Sequence, residues 1–470
     1  MKKFVNKIFA MILVLSVISC ISGCGSSDSG SDYTIVSEIV LDDDGNDNNN
    51  NSVTDNNSTN NDSKDNAYSS KRNNSDSSIN QSSSSNLNGT TVTFATFEDI
   101  TSGSNKSKII SDFKKKTGIK VKIQKLDQDN YISKLSGYKA AGNSPDIIID
   151  NQQFPRSLSL LQPLSNAGIN ANDSKFNQLV TNYGTVNGKQ YLVGSAADGN
   201  YFLCFYNKNV FKQVGVPTPE ELMSANNWNL DTFNSIAIKI HEYNSEWTGA
   251  ALSPSGFQTT YGVGYIQYDQ QSSTFINTTS SPEFSDIWRF VTTGVKAKYF
   301  YPRFNVDGVI KGTTGMTCVD TNGLMSDGYF SQMKSSEIGV TYLPKKNASD
   351  SEYPVGALIF GYGIADGAKN PKGAAAFLNY YLDPENISDA NKFINKQAES
   401  IYKELLKKDI AVKNILSAKG PATITVGAVD AWDNEMIACD PAQVSVGIAK
   451  INSQINTAIN KANEIIAQKK

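Results

Sequence analysis

The chain has 470 residues, with 43 Lys and Arg, 46 Asp and Glu, and a single histidine. This length allows about three units of ordinary domain size. The formal net charge of −3 lacks the basic excess that is typical of nucleic-acid-binding proteins, so no nucleic-acid partner is expected. The lone His241 excludes metal sites built from several histidines, and any Ser-His-Asp triad would depend on that one side chain.

The first residues have the features of a bacterial export signal. Lys2, Lys3 and Lys7 precede an apolar run over residues 8–18, which is too short for a stable membrane span. The following Ile-Ser-Gly-Cys ends at Cys24 and resembles the lipobox of bacterial lipoproteins. That resemblance implies a signal peptide over residues 1–23, lipidation of the Cys24 thiol and anchoring to the outer face of a cell membrane, as on a Gram-positive surface. The alternative is an ordinary signal peptide followed by a chance cysteine.

Three cysteines follow Cys24, namely Cys204, Cys318 and Cys439. Their number is odd, so at most one disulfide can form among them. Their spacing matches no zinc-binding pattern. We expect most of them to be small buried apolar side chains.

Residues 24–88 are predicted to be a tether behind the lipidated cysteine. Ser, Asn and Asp supply 42 of the 64 residues from 25 to 88. Such a segment cannot bury enough apolar surface to offset the entropy of ordering it. A coil of this length spans roughly 45 Å between its ends, enough to hold a domain away from the membrane.

From about residue 89 the sequence alternates between strand and helix patterns. Period-two alternation predicts strands at Thr91–Ala95 and Ile119–Ile123, and an apolar run predicts a third at Ile147–Ile149. Helical spacing of apolar residues predicts helices at Lys106–Lys116 and Tyr131–Ala141. This order is typical of an α/β fold with a parallel sheet, in which ligands bind beyond the carboxyl ends of the strands.

Three further helices are predicted in the rest of the chain. Asn229 can cap a helix over Leu230–Tyr243, another follows Asn370-Pro371, and an isoleucine stripe predicts a last one over residues 448–466. His241 lies near the end of the first of these, where a structural histidine is more common than a catalytic one.

A set of short segments, in order over roughly 380 residues, resembles extracellular solute-binding proteins of the carbohydrate ABC-transporter type, the group that contains maltose-binding protein. The most specific is Phe-Tyr-Asn-Lys-Asn-Val-Phe at 205–211, followed by Gly-Val-Pro at 215–217. The others are Phe113–Val121, Ser144–Ile148, Asn187–Gly194, Trp228–Phe233, Gly312–Asn322, Ile338–Pro344 and the helix after Asn370-Pro371. The segment 312–322 departs from the pattern, because Gly315-Met316 replaces Ala-Met and no Trp follows Asn322, which weakens the case for a long maltodextrin ligand.

The resemblance implies an α/β fold of two lobes joined by hinge strands, the type II periplasmic-binding-protein arrangement, with a ligand cleft between the lobes. One lobe would comprise residues 89–197 plus 358–400, and the other 198–357 plus 401–470. It further implies a monomeric receptor, without catalytic residues, metal or cofactor, that captures a sugar or oligosaccharide by hinge closure and delivers it to ABC permease subunits.

The ligand contacts that this resemblance implies lie on the loops that border the cleft. They are Phe97, Glu98, Asp150, Asn151, Gln152, Asp198, Asn200, Tyr201, Gln267, Asp269, Asp320, Asn322, Phe360 and Tyr362. Packing in the hinge is an equally good explanation for Tyr201 and Phe360. Trp247 and Trp432 are possible stacking platforms, although packing is the commoner role of a tryptophan.

Other functions remain open at this point. A non-sugar solute, such as a peptide or a polyol phosphate, and a sensor or adhesin on the same fold are both compatible with the sequence. Asp150 and Asp320 could act as the two carboxylates of a glycosidase, but no motif supports that chemistry. The SxxK-like and KTG-like matches at Ser111–Lys114 and Lys116–Gly118 are explained by a basic helix and its end.

Overall fold

The computed structural model describes residues 87–98, 100, 105–128, 130–151, 154–269, 272–387, 393–405 and 428–469. The predicted signal peptide, Cys24, the tether up to residue 86 and Gln152 lie outside these ranges. The helices are α1 (Asn105–Thr117), α2 (Tyr131–Ala140), α3 (Gln178–Tyr183), α4 (Lys208–Val214), α5 (Pro219–Ser224), α6 (Leu230–Tyr243), α7 (Pro254–Thr260), α8 (Pro282–Lys296), α9 (Val306–Lys311), α10 (Pro371–Tyr381), α11 (Pro384–Ile387), α12 (Lys396–Leu405), α13 (Ala428–Ile437) and α14 (Val444–Ala467). The strands are β1 (Thr91–Thr96), β2 (Lys120–Lys125), β3 (Ile147–Asn151), β4 (Thr185–Val186), β5 (Lys189–Gln190), β6 (Leu203–Asn207), β7 (Thr248–Leu252), β8 (Ile266–Asp269), β9 (Thr274–Asn277), β10 (Phe300–Tyr301), β11 (Thr314–Val319), β12 (Ile338–Thr341) and β13 (Phe360–Ile364).

The first lobe is built on a four-stranded sheet in the order β13-β3-β1-β2. β1 pairs in parallel with β2 and β3, as the strand–helix alternation predicts, and β13 returns antiparallel to β3. Helices cover both faces: Phe94 packs with Phe113 of α1 and Phe377 of α10 on one side, and Ala95 with Leu135 of α2 on the other. This burial on both faces explains the apolar composition of β1 and β3.

The second lobe is built on a five-stranded sheet in the order β10-β7-β11-β6-β12. β7 pairs in parallel with β10 and β11, whereas β6 runs antiparallel to both β11 and β12. α6 lies close against β7, because a Cβ at Gly249 would come within 2.1 Å of the Ala237 carbonyl oxygen. The glycine is therefore required by this close approach of strand and helix.

Two chain segments cross between the lobes side by side. The Phe202 N–H donates to the Gly356 carbonyl at 2.9 Å, and the Leu358 N–H donates to the Asn200 carbonyl at 3.0 Å. These bonds make a short antiparallel hinge just before β6 and β13. Asn200 has a left-handed backbone with φ of 41°, a conformation that asparagine tolerates better than most residues.

The secondary structure matches the sequence predictions for the segments named above. α6 has the predicted bounds and begins with a capping box between Asn229 and Thr232. The predicted lobe boundary at residue 400 falls inside α12, and this helix packs against β12 and the turn Thr321–Leu324 of the second lobe. Among the described residues, none of the helices has both the length and the apolar content needed to cross a bilayer.

Candidate functional site

The parallel strands of the second sheet end at a cavity of about 260 Å³. Its walls come from the residues that follow β7, β10 and β11, from the hinge, and from one face of α13. They are Phe202, Ser253, Pro254, Pro302, Arg303, Phe304, Val319, Asp320, Tyr329, Leu358, Asp433, Asn434 and Ile437. This is the edge at which α/β sheets bind ligands, because the loops after parallel strands converge there.

An aromatic ring and a guanidinium group stand at this cavity. Phe304 is 57% exposed, although phenylalanine is usually buried. The neighbouring Arg303 donates from Nη2 to Asn434 Oδ1 at 3.2 Å and forms no ion pair with the residues that the structure describes. An exposed ring beside an unpaired cation can offer a ligand both an apolar face and a strong hydrogen-bond donor.

Two carboxylates also line the cavity. Asp320 accepts the Asn322 N–H at 2.9 Å and the Tyr329 hydroxyl at 3.2 Å. Burial raises the pKa of Asp320 and raises that of Tyr329 to about 12. Asp433 is almost fully buried and accepts the Tyr265 hydroxyl at 2.7 Å. Both carboxylates are therefore held in place by hydroxyl donors at the cavity wall.

The first lobe contributes a second set of polar side chains, which lie after β1 and in the hinge turn. Glu98 accepts from Lys106 Nζ at 2.6 Å. Asp198 accepts the Ser195 N–H at 2.5 Å and the Ser195 hydroxyl at 2.7 Å. Burial raises the pKa of Asp198 to about 6, against the opposing effect of the Ser195 bonds and of nearby Lys106. Glu98, Lys106 and Asp198 thus form one charged cluster at this end of the first sheet.

Asp150 lies inside the first lobe, which corrects the prediction of a loop position at the cleft. Strand β3 continues to Asn151, because β13 pairs with it, and Asp150 faces Gly361 across that pair. The Asp150 carboxylate is fully buried and accepts the hydroxyls of Ser157 at 2.6 Å and Tyr183 at 3.4 Å. These two bonds hold the carboxylate within the core of the first lobe.

Tyr362 and Tyr201 are likewise buried. The Tyr362 ring packs 6.1 Å from Phe94 and 5.8 Å from Tyr381 in the first-lobe core. The Tyr201 ring lies over Gly199, and its hydroxyl accepts from Asn177 Nδ2 at 3.4 Å. Of the two roles that the sequence left open for Tyr201, the geometry favours packing in the hinge.

The other predicted contacts are scattered around the two sheet edges. Phe97 packs edge-on against Tyr131 with centroids 5.4 Å apart, Asn200 accepts the Thr321 hydroxyl at 3.1 Å, and Asn322 is exposed. Phe360 begins β13 opposite Asn151. Gln267 and Asp269 lie on the β8-β9 hairpin, where β9 packs against α14, and neither lines the cavity. Gln152 lies outside the described residues.

The tryptophans and the histidine have structural positions. Trp432 is 2% exposed and donates its indole N–H to Gln454 Oε1 at 2.8 Å. His241 Nδ1 lies 2.8 Å from the Trp247 carbonyl oxygen, and the Trp247 ring packs against Tyr243. Within the part of the chain that the structure describes, no group of three or more His, Cys, Asp or Glu side chains could hold a metal ion.

Sequence reasoning missed Arg303, Phe304, Asp433 and Asn434. Arg303 and Phe304 follow β10, a strand of two residues that is too short for a periodic signal. Asp433 and Asn434 sit on α13, next to the buried Trp432, and reach the cavity only through tertiary packing. The Pro-Arg-Phe run at 302–304, polar and aromatic after a possible strand, is the one local signal that could have suggested the first pair.

Comparison with known proteins identifies the class. A family model described as bacterial extracellular solute-binding protein matches residues 108–395. No curated protein sequence matches the chain. Among solved structures with this fold is UgpB from Mycobacterium tuberculosis in complex with glycerophosphocholine, at a TM-score of 0.57 and 14% identity over 78% of this chain and 98% of that one.

Two sugar-bound structures are similar to a comparable degree. The galacto-N-biose/lacto-N-biose I-binding protein of an ABC transporter from Bifidobacterium longum, solved with lacto-N-biose, has a TM-score of 0.54 and 16% identity over 80% of this chain and 96% of that one. An ABC substrate-binding protein from Listeria monocytogenes, solved with cycloalternan, has a TM-score of 0.51 and 16% identity over 81% and 98%. At these identities the likeness shows the fold, so the expected two-lobed α/β arrangement is confirmed. Because the family model matches more than half of this chain, the chain belongs to the bacterial extracellular solute-binding protein family.

Proposed function

We propose that the protein captures a sugar or oligosaccharide between its two lobes and delivers it to an ABC permease. The observation that carries this proposal is the cavity at the end of the second sheet, where the exposed Phe304 ring stands beside Arg303 and Asp320. Family membership supports the solute-binding role, and the neighbours solved with lacto-N-biose and cycloalternan support a carbohydrate.

The chemistry of this cavity suits a sugar. A pyranose ring has a C–H face that can stack on an aromatic ring, and covering Phe304 would remove apolar surface from water. Its hydroxyls can donate to carboxylates and accept from a guanidinium. Asp320, Arg303 and Asn434 supply both kinds of partner within one cavity.

The first-lobe cluster would complete the site when the lobes close. Glu98 and Asp198 lie at the end of the first sheet and in the hinge turn, so rotation about the hinge would bring them toward a ligand held by the second lobe. Phe97, Asn200, Asn322 and Phe360 remain proposed contacts around the same cleft, as do Asn151 and Gln152. Asp150, Tyr201 and Tyr362 are proposed to position the strand ends and the hinge. Gln267 and Asp269 are kept as proposed contacts only for a ligand that extends toward the β8-β9 hairpin.

Membrane attachment is proposed through Cys24. Lipidation there, followed by the Ser/Asn/Asp-rich tether, would hold a monomeric binding domain outside the cell and within reach of the permease. The closed, liganded form is the one proposed to dock, because the ligand links the two lobes. The protein is proposed to act by binding alone, without catalysis or a cofactor.

An anionic solute is the second candidate ligand, and one observation favours it. Arg303 has no carboxylate partner among the described residues, and a guanidinium in this position suits a phosphate or carboxylate group. The neighbour solved with glycerophosphocholine shows that this fold can hold a phosphodiester. A phosphate-bearing polyol would use both Arg303 and the hydroxyl acceptors around it.

The experiment is a thermal-shift screen of the purified protein against mono- and oligosaccharides, polyols and polyol phosphates. A ligand at a hundred times its dissociation constant stabilises the folded state by about 2.7 kcal/mol, which gives a clear rise in the unfolding midpoint. A selective sugar hit supports the proposal, and a hit restricted to phosphate-bearing polyols supports the second candidate. Phe304→Ala is the matched control, since a ligand that binds in the cleft should show a clearly smaller shift with this variant. If no compound in the panel raises the unfolding midpoint, both candidates are contradicted. Release of reducing ends from a sugar that binds would contradict the proposal that the protein acts by binding alone.

A further inference from the structure

Two cysteines lie directly opposite each other in the second sheet, and neither is a proposed ligand contact. Cys204 is the second residue of β6 and Cys318 the fifth of β11, and the register of these antiparallel strands pairs them. Both are free thiols and buried, with 0% and 1% of their surface exposed. Cys439, on the turn after α13, pairs with neither and donates to the Glu435 carbonyl at 3.2 Å.

The hydrogen-bond pattern shows what kind of pair this is. The Lys208 N–H donates to the Glu337 carbonyl at 2.8 Å, which extends the β6-β12 ladder by one residue. Backbone groups alternate between the two edges of a strand, so the even-numbered residues of β6 point theirs toward β12. Cys204 therefore makes no backbone bond to β11, and the pair with Cys318 is of the non-hydrogen-bonded type.

This type of pair brings the two thiols close enough to join. Opposite Cα atoms in non-hydrogen-bonded pairs are about 4.5 Å apart, and disulfides span Cα separations of about 4.4–6.8 Å. Cys204 and Cys318 also share a neighbour, the Tyr261 ring, whose pKa is raised by burial and by both thiols. The two side chains thus lie on one face of the sheet, as a disulfide requires.

We propose that Cys204 and Cys318 form a disulfide across β6 and β11 once the protein is in an oxidising medium outside the cell. One thiolate attacks a sulfur of a small-molecule disulfide and releases one thiol. The second protein thiolate then displaces the other. Two S–H bonds are lost, one S–S bond forms in the protein, and the oxidant is reduced to two thiols that carry the protons.

The bond has a defined place in the molecule and a defined timing. Phe202 precedes Cys204 by two residues, Asp320 follows Cys318 by two residues, and both line the cavity. The bond would therefore link the two strands that lead into this wall of the cavity. The hydrogen bond with Cys318 and burial hold the pKa of the Cys204 thiol well above its usual range. Thiolate is therefore scarce in the folded state, and oxidation is expected mainly during folding or local opening.

The test is a peptide map of the purified full-length protein, refolded or incubated in oxidised glutathione, alkylated in denaturant and cut with trypsin. The expected product links the peptides 190–208 and 312–334 and weighs about 2 Da less than the two reduced peptides together. The peptide 420–450, with Cys439, should be alkylated and acts as the internal control. If the linked peptide is absent after both treatments, or if Cys439 is joined to either partner, the proposal is wrong.

A second measurement follows the stability of the same protein. Because the bond closes a loop of about 110 residues, oxidation is expected to raise the thermal unfolding midpoint by roughly 5 °C over the protein in reductant. The double variant Cys204→Ala/Cys318→Ala should show no such redox dependence. A midpoint that is unchanged in the oxidised wild-type protein, with the linked peptide present, would contradict the proposed clamp. If the variant does not fold, the wild-type pair of measurements decides alone.

Discussion

The two lobes carry the same kind of sheet edge but arrange it differently. In the first lobe the carboxylates near the strand ends are already engaged: Asp150 by Ser157, Glu98 by Lys106 and Asp198 by Ser195. In the second lobe an open cavity exposes the Phe304 ring and an Arg303 side chain without a carboxylate partner among the described residues. One edge is internally satisfied, and the other has unused binding capacity.

This contrast teaches how a two-lobed receptor can divide its work. The second lobe can hold a ligand first, because the Phe304 ring and the Arg303 side chain are exposed at its cavity. The first lobe must exchange its ion pair and hydrogen bonds for ligand contacts, which reduces the net gain from closure. The lobe contrast therefore predicts different mutational responses on the two sides.

The largest expected effects are on lobe stability. Phe94→Ala in the first lobe and Phe233→Ala in the second each remove a fully buried ring and should lower the free energy of unfolding by about 3–5 kcal/mol. Phe94 belongs to an apolar cluster that lies within the first lobe, whereas the larger cluster around Phe233 also includes the α2 face of the first sheet. Phe94→Ala should therefore reduce hydrogen-exchange protection mainly in the first lobe, and Phe233→Ala should reduce it more widely. Phe304→Ala, at an exposed ring, is the control and should leave stability nearly unchanged. Equal loss of protection in both lobes for Phe94→Ala would contradict an apolar cluster confined to the first lobe.

The next comparison sets a buried carboxylate against an accessible one. Asp150→Asn should lower the free energy of unfolding by about 1–3 kcal/mol, while ligand affinity changes little. The amide keeps one acceptor oxygen but replaces the other with an NH2 donor, so Ser157 and Tyr183 cannot both keep their acceptor. Asp320→Asn should do the reverse and weaken binding about tenfold or more, through loss of a charge-assisted hydrogen bond. Chemical denaturation and calorimetric titration of both variants measure the two quantities. A large affinity loss for Asp150→Asn alone would return that residue to the ligand contacts.

The hinge should show a pH dependence. The pKa of Asp198 is about 6 in the folded protein and 3.8 in an ordinary environment, so the folded state binds the proton more tightly. Stability from this group is therefore full below about pH 4 and is lost as the pH rises to about 6, by about 1–2 kcal/mol after its partial exposure is allowed for. Urea denaturation of wild type and Asp198→Asn across this range gives the difference curve. A flat difference curve would mean that the carboxyl is not perturbed.

The smallest effect concerns the two aromatic side chains at the edges. Phe304→Ala should weaken ligand binding about fivefold to tenfold, because a stacked aromatic contact contributes about 1 kcal/mol beyond simple contact. Phe97→Ala, whose ring already packs against Tyr131, should have a smaller effect on affinity. Titration of the ligand found in the screen measures both. A stronger effect at Phe97 would place the stacking platform in the first lobe.

The order of elements could be predicted from the sequence, whereas much of the site could not. Local sequence signals predict the first five elements, and these predictions are confirmed for β1, α1, β2, α2 and β3. The signals are period-two alternation or an apolar run for the strands, helical spacing of apolar residues for the helices, and Thr-Gly or Pro residues at the boundaries. The position of Asp150 could not be derived in this way, because β3 is extended by pairing with β13 from a distant part of the chain. Arg303 and Asn434 likewise meet only because α13 packs beside the loop after β10. The family resemblance places the proposed contacts at the ends of the sheet strands, but side-chain direction depends on tertiary contacts.

The antiparallel pairing of β13 with β3 determines when the first lobe can finish folding. Phe360 pairs with Asn151 across about 210 residues of intervening chain, so the first sheet lacks its edge strand until most of the polypeptide has been synthesised. Contacts of such long sequence separation form slowly. The same topology that builds the hinge thus delays completion of the first lobe until β13 has been synthesised.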